Sequence, residues 1–403
     1  MDKVDLLDKF GKISANRDQL SAVGRDPTSI VIDRIISPTE AIIDGKQTIL
    51  VGTNNYLGLT FDPECVAAGQ SALAEAGTGT TGSRMANGSY APHLDLEREL
   101  AEFYDVPHAM VFSTGYAANL GTLAALVNTG DVVVMDADAH ASLYDGCRMS
   151  GGSVYRFRHN DMTSLGNRLR RLAEKASRTL IVVEGLYSVL GDRAPLREIV
   201  ALKREFGAHL LVDEAHSLGI YGEHGRGVCE ELGVMEDVDF VVGTFSKSLG
   251  ATGGFCASRH DVLPLFRYAS RPYIFTASGN PSVIATTRAA LRQISSRPQL
   301  RQKLHKNAGR LYRGLEAMGL RLGADVSPVI AVRFEESEEA ARTWERLLEA
   351  GIYTNLFVPP ATPDGSSLLR CSVSAAHSEE QIDLILQRFR EIIEPARSRA
   401  AGS

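Results

Sequence analysis

Between residues 108 and 250 the chain alternates short apolar runs with charged, amphipathic stretches. AMVF, VVVM, TLIVVE, HLLVD and DFVVGT are rich in Val, Ile and Leu, with the length and composition of buried strands. GSVYRFRHN reads as a further strand. ANLGTLAALV, LGNRLRRLAEKA and PLREIVALKREFG carry apolar residues at helical spacing between them. Such alternation predicts an α/β fold with a mostly parallel sheet covered by helices on both faces. In sheets of this kind ligand-binding groups gather on loops beyond the carboxyl ends of the strands.

The flanks follow other patterns. Residues from about 5 to 22 read as an amphipathic helix, and ILVGTNNYLGLT as a short strand passing into a polar loop. GTGTTGSRMANGSY is too rich in Gly, Ser and Thr for a regular element, whereas HLDLERELAEFY has helical spacing. A long helical stretch begins near residue 284 and runs from ATTRAALRQISS through RLYRGLEAMGL. A smaller α+β unit follows, with strands near PVIAVRF and LLRCSVSAAH and the helix EEAARTWERLLEAG between them. The domain boundary is placed near residue 285.

Composition narrows the classes. The chain has 403 residues, 44% hydrophobic and 23% charged, ordinary for a soluble globular protein with room for more than one domain. A net charge of -6 gives no sign of a nucleic-acid-binding surface. Cys65, Cys147, Cys229, Cys256 and Cys371 are far apart and form no C-x-x-C pair and no metal-ligand cluster, so reduced thiols and a cytoplasmic location are expected, and no metal. The segment MDKVDLLDKFGKIS is charged and unlike a signal peptide. No apolar run approaches the ~20 residues that span a bilayer, which leaves at most peripheral contact with the inner membrane face.

Lys247 has an unusual setting. It follows the apolar run of VDFVVGTFSKSLGATGG and is surrounded by Ser, Thr and Gly, with little carboxylate nearby. Partial burial there favours the neutral amine, a nucleophile able to form a Schiff base with an aldehyde. Small hydroxyl residues beside it, Thr244 and Ser246, suit a phosphate. The combination suggests pyridoxal 5'-phosphate (PLP). Gly115, in STGYAANL, turns a strand into a helix whose first backbone N–H groups favour an anion. His140, in DADAHAS, would stack on a pyridine ring in a PLP site and otherwise reads as an ordinary loop residue. Asp213 ends the strand in LVDEAHSLG, where a carboxylate is costly unless paired. A pyridinium nitrogen would pair it, and His216 lies three residues on. A helicase DEAH box is the competing reading of that segment, but it needs a G-x-x-x-x-G-K-[ST] loop, and FGKIS and DGKQT lack the glycine spacing. Arg370, in LLRCSVSAAH, offers a two-pronged grip on a carboxylate or a structural ion pair.

Taken in order, STGYAANL, DADAHAS, LVDEAHSLG, GTFSKSLGATGG, RPYIFTAS and LLRCSVSAAH resemble the α-oxoamine synthases, PLP enzymes of the aspartate-aminotransferase fold (fold type I). The likeness runs from NNYLGL to the last predicted strand. GSRMANGS, HASLYDGC, VVGTFSKS, SRPYIFTAS and PPATPDGSSLLRCS are most similar to the soluble bacterial serine palmitoyltransferase group. The resemblance implies an N-terminal helix and arm over 1–50, a large PLP-binding domain over 51–285 and a small C-terminal domain over 286–403. It implies a homodimer with shared active sites that condenses L-serine with palmitoyl-CoA, loses carbon dioxide and yields 3-ketodihydrosphingosine. A sister synthase using glycine, alanine or another amino acid with another thioester is the alternative. A non-catalytic partner subunit of the same fold is disfavoured by the intact lysine, aspartate and two histidines.

By the same resemblance, Lys247 holds PLP and moves the Cα proton. Asp213 pairs with the ring nitrogen, His140 stacks on the ring and His216 contacts its hydroxyl. Gly115 and Tyr116, with Thr244 and Ser246, hold the phosphate, and Thr276 reaches the phosphate of the neighbouring subunit. Glu184 and Ser188 line the site, and Asn55 and Arg370 hold the substrate carboxylate. In one place the pattern departs: Val358 stands before PPATP, where the group carries an arginine.

Overall fold

The structure, a computed structural model, describes residues 5–11, 13–15, 17–18, 24–359, 361–362 and 365–400, with the side chains of 394–400 outside that description. By compactness the chain divides into Asn54–Leu304 and a second unit made of Met1–Thr53 with His305–Ser403.

In chain order the strands are β1 (Arg34–Ser37), β2 (Glu40–Ile43), β3 (Lys46–Leu50), β4 (His108–Phe112), β5 (Val132–Asp136), β6 (Ser153–Phe157) and β7 (Thr179–Glu184). They continue with β8 (His209–Asp213), β9 (Phe240–Thr244), β10 (Gly254–Ser258), β11 (Val329–Phe334), β12 (Ile352–Tyr353), β13 (Asn355–Phe357) and β14 (Ser367–Ser372).

The unit Asn54–Leu304 is built on one seven-stranded sheet of order β4-β10-β9-β8-β7-β5-β6. Its strands β9, β8, β7, β5 and β6 are parallel neighbours. The expected parallel core is therefore present, and helices α1 (Ala91–Tyr104), α2 (Gly115–Leu126), α3 (Ala141–Ser150), α4 (Met162–Arg171), α5 (Leu196–Phe206) and α6 (Pro281–Ser296) belong to the same unit. Met110, Val133, Met135, Leu211 and Val242 from the strands meet Leu123 and Leu143 from α2 and α3 in one buried cluster.

The alternating pattern did not announce β10. It pairs antiparallel with both β4 and β9, and its residues are Gly, Phe, Cys, Ala and Ser, which give little periodic signal. It matters for the site because register sets Gly254 between Phe112 and Thr244. The helical stretch expected from about 284 is two helices, one ending at Ser296 and the next beginning at Gln299. Pro298 lacks an N–H and disfavours helical geometry at Arg297, so the break falls there.

The other unit has two small sheets, β1-β2-β3-β12 and β11-β14-β13. The strands expected at PVIAVRF and LLRCSVSAAH are β11 and β14, paired antiparallel, and a helix occupies Ser337–Glu349. Of the helix expected over 5–22, residues 11, 13–15 and 17–18 are helical and follow a 3-10 turn at Asp8–Phe10, while residues 12, 16 and 19–22 lie outside the description. All five cysteines are buried and free.

Glu97 on α1 is a buried anchor for the edge of the large sheet. Its carboxylate accepts from Arg84 Nη1 at 3.0 Å, Arg267 Nη2 at 2.6 Å and the backbone N–H of Val111 in β4 at 3.0 Å. Both guanidinium groups also lie over the Tyr273 ring, at 5.6 and 5.7 Å. Removing the carboxylate leaves a buried cation unpaired, which costs roughly 3–5 kcal/mol. Glu97→Ala is expected to lower the urea midpoint by that equivalent. A loss under about 1 kcal/mol, the value of an exposed pair, would show the cluster to be incidental.

Candidate active site

The carboxyl ends of the parallel strands surround a cavity of about 280 Å³ within the unit Asn54–Leu304. β8 delivers Asp213, buried at 3% exposure. Its Oδ2 accepts from Asn119 Nδ2 at 2.7 Å and its Oδ1 from the Ala215 N–H at 2.9 Å. Asn119 sits on α2, one turn past Gly115, and its amide nitrogen also reaches Ser142 Oγ at 2.9 Å. β7 ends beside β8 with Glu184 in register with Asp213. Burial, then the charge of Asp213, raises the Glu184 carboxyl well above its ordinary value.

His140 caps α3 and lines the cavity. Its backbone N–H donates to Glu184 Oε1 at 2.6 Å, and its ring Nδ1 lies 2.7 Å from Ser142 Oγ. The protein around the ring favours the neutral imidazole: desolvation lowers its pKa, Asp213 opposes that and Lys247 adds to it. His216, also lining the cavity, is held through Nδ1 by the Tyr56 hydroxyl at 2.8 Å.

At the end of β9, Thr244 Oγ1 lies 2.9 Å from Ser246 Oγ, and the half-buried Lys247 follows. Opposite them α2 begins at Gly115, with the Thr114 hydroxyl accepting from the Ala117 N–H at 2.9 Å. The first N–H groups of a helix have no intrahelical partner, so Gly115 and Tyr116 bring donors to the cavity wall beside the two hydroxyls. The approach is close. A Cβ on Gly115 would stand 2.7 Å from the Thr244 Cβ, and one on Gly254 would stand 2.6 Å from the Gly115 Cα. Tyr116 turns its hydroxyl to Asp145.

This donor set fits PLP. The helix start and two hydroxyls suit a phosphate, a buried carboxylate suits a pyridinium nitrogen, an imidazole supplies a flat wall, and a lysine amine suits the aldehyde. Of the residues named from the sequence, Gly115, Tyr116, His140, Glu184, Asp213, His216, Thr244, Ser246 and Lys247 line the one cavity. Ser188 and Asn55 are not in its lining, and Asn55 donates to Thr60 Oγ1 at 2.8 Å. Thr276 lies after the short helix Arg271–Ile274, beside Arg84 and Tyr273. Arg370 belongs to the other unit, where Nη2 donates to Asn355 Oδ1 at 3.2 Å and the guanidinium lies 5.2 Å from the Phe357 ring centroid. Val358 is half-buried in that unit, and Pro360, Pro363 and Asp364 of the same segment lie outside the description. Sequence reasoning gave no role to Asn119 or Ser142. A polar residue inside the apolar run GYAANLGTLAAL was the available signal for Asn119.

The Glu of the DEAH segment is structural. Glu214 is buried and accepts from the N–H groups of Val228 and Cys229 at 3.1 and 2.8 Å.

The loop that carries His140 is held from below. The buried Asp136 at the end of β5 accepts from the Asp138 N–H at 2.9 Å and from His159 Nδ1 at 2.8 Å, while His159 Nε2 meets Asp192 at 2.6 Å. Burial alone would lower the His159 pKa, but the two carboxylates overcome it and raise the pKa from 6.5 to about 10. A raised histidine pKa stabilises the fold fully below the unfolded value and loses that contribution as pH rises through the folded value. The stability gap between the wild type and His159→Gln should therefore be widest below pH 6.5 and narrow towards about 10. Urea melts across that range would read it, and a constant gap would contradict the charged bridge.

Residues 46–389 match the family described as aminotransferase class I and II. The chain is 56% identical over 386 residues to the serine palmitoyltransferase of Caulobacter vibrioides (strain NA1000 / CB15N), covering 95% of this chain and 96% of that protein. It is 40% identical over 346 residues to the 8-amino-7-oxononanoate synthase of Geobacter metallireducens, covering 85% and 88%. A solved structure of a serine palmitoyltransferase with PLP as internal aldimine superposes with a TM-score of 0.94 at 49% identity, covering 99% of this chain and 100% of that one.

Proposed function

Because the chain belongs to the aminotransferase class I and II family and, within it, to the α-oxoamine synthases, we propose that it is a PLP-dependent acyltransferase of the serine palmitoyltransferase kind. It condenses L-serine with palmitoyl-CoA and releases carbon dioxide, coenzyme A and 3-ketodihydrosphingosine, the first step of sphingolipid synthesis. The observation that carries this reading is the convergence of Lys247, Asp213, His140 and the phosphate-type donors on one cavity.

Lys247 anchors the cofactor, Asp213 accepts from its ring nitrogen, and His140 walls its face. His216, braced by Tyr56, meets its hydroxyl, with Glu184 close by. Gly115, Tyr116, Thr244 and Ser246 hold the phosphate. When bound, PLP supplies an electron sink for negative charge at the substrate Cα. Lys247 Nζ takes the Cα proton. The Cα then bonds to the acyl carbon as the thioester C–S bond breaks, and the sulfur leaves as thiol. Loss of the carboxylate as carbon dioxide returns an electron pair to Cα, which takes up a proton; overall one proton is drawn from solution.

The protein acts as a homodimer in which Thr276 reaches the neighbouring subunit's phosphate. Tyr268 at 73% and Phe275 at 74% exposure, near Thr276 in the chain, support a covered face there. Among the described residues no helix is long and apolar enough to cross a membrane, which accords with a cytoplasmic enzyme that touches the inner membrane face at most peripherally.

Val358 favours one second reading, a sister synthase that prefers another amino acid, because valine offers no charge-assisted bond to a carboxylate. Crossing L-serine, glycine and L-alanine with acyl-CoAs of several lengths, and following coenzyme A release, separates the two. The expected result is fastest release with L-serine and palmitoyl-CoA, falling by about 10²–10⁴-fold in Lys247→Ala. Faster release with glycine or alanine would install the sister reading, and no release with any pair would sink both.

A further inference from the structure

A continuous hydrogen-bonded chain links the two residues expected to grip the cofactor ring. Asp213 Oδ2 meets Asn119 Nδ2 at 2.7 Å, Asn119 Nδ2 meets Ser142 Oγ at 2.9 Å, and Ser142 Oγ meets His140 Nδ1 at 2.7 Å. Asn119 and Ser142 are buried, at 3% and 1% exposure.

The chemistry of the groups fixes the direction of every proton in this chain. An ionised carboxylate only accepts, so the Asn119 amide must turn its NH₂ rather than its oxygen to Asp213. That nitrogen carries two hydrogens, and the second points at Ser142 Oγ. Asn119 Oδ1 is buried with no hydrogen-bond partner among the described residues, so the amide orientation is imposed by the carboxylate and not by its own oxygen. Ser142 Oγ accepts from the amide and has one hydrogen to give, which goes to His140 Nδ1. The Ser142 backbone N–H points at the same nitrogen from 3.3 Å. With two donors aimed at it, Nδ1 must be bare. A neutral imidazole with a bare Nδ1 carries its proton on Nε2.

We propose that Asn119 and Ser142 are positioning residues that lock His140 as the Nε2–H tautomer. His140 then presents a hydrogen-bond donor to the cavity and has no lone pair there with which to remove a proton. The donor suits an oxygen of the bound substrate, a carboxylate or a thioester carbonyl. The Cα proton is left to Lys247. One buried amide thus serves two sides of the site, orienting the carboxylate of Asp213 and, through Ser142, the tautomer of His140. The role in catalysis rests on the function proposed above, whereas the tautomer itself does not.

Nitrogen-15 histidine labelling of the holoenzyme tests it, with the His140 signals identified by their loss in His140→Gln. Long-range nitrogen–proton correlations near neutral pH should show Nδ1 bare and Nε2 protonated. Ser142→Ala should give a mixture of tautomers and raise KM for L-serine in proportion to the Nδ1–H fraction, by about twofold at equal populations and at most about tenfold, the value of one hydrogen bond to a charged group, with kcat little changed. Ser142→Thr, which keeps the hydroxyl, should restore both. A protonated Nδ1 in the wild type, or an unchanged tautomer in Ser142→Ala, would overturn the proposal. If Ser142→Ala does not fold, the wild-type and Ser142→Thr spectra still decide. A wild type that releases no coenzyme A but shows the expected tautomer would refute the function and leave this inference standing.

Discussion

A carboxylate buried in the middle of a sheet is the constraint around which the rest of this protein is arranged. Asp213 ends β8, a central strand, at 3% exposure. Burying such a charge costs several kcal/mol even after the protein relaxes. The two donors on it, an Asn119 amide and the Ala215 N–H, are neutral. Hydrogen bonds to a charged group return about 1.5–3 kcal/mol each, so these two offset much of that cost without neutralising the charge. A cationic ring nitrogen, the partner proposed for Asp213, would add the opposite charge that the two neutral donors lack. Glu184 in the next strand is pushed towards its neutral form by burial and by Asp213 itself, so the site gathers little negative charge beyond the one carboxylate.

The proposed phosphate end depends on a different constraint, the closeness of two backbones. β10 runs against the direction of the strands beside it and brings Gly254 against the start of α2, where neither Gly115 nor Gly254 has room for a Cβ. That contact aims the first N–H groups of the helix at the space beside Thr244 and Ser246. An alanine at either position would have to displace backbone or the Thr244 side chain, so the anion site and the sheet edge form one packing unit.

Much of this could be read from the residues in order, and for physical reasons. Val- and Leu-rich strands buried on both faces leave unmistakable runs, and a charged or polar residue at the end of such a run, like Asp213 or Lys247, stands out because burial makes it costly. β10 escaped because its Gly, Cys, Ala and Ser carry no periodic hydrophobic signal. Asn119 and Ser142 escaped because an Asn in a helix and a Ser near a cap are ordinary residues until the partner 94 or 23 positions away is known. Glu214 was ambiguous for the same reason: only its bonds to Val228 and Cys229 mark it as structural. Arg370 and Val358 lie on β14 and just beyond β13, where the pattern foretells the strand but not what the side chain faces.

The visible absorbance of the purified protein with PLP tests the central claim, that the cavity around Asp213 and Lys247 is a PLP site, most directly. The wild type should be yellow, L-serine should shift its visible band, and Lys247→Ala should lose the band seen in the absence of amino acid. A wild type that stays colourless after PLP is added, or a Lys247→Ala protein with the unaltered band, would contradict the account.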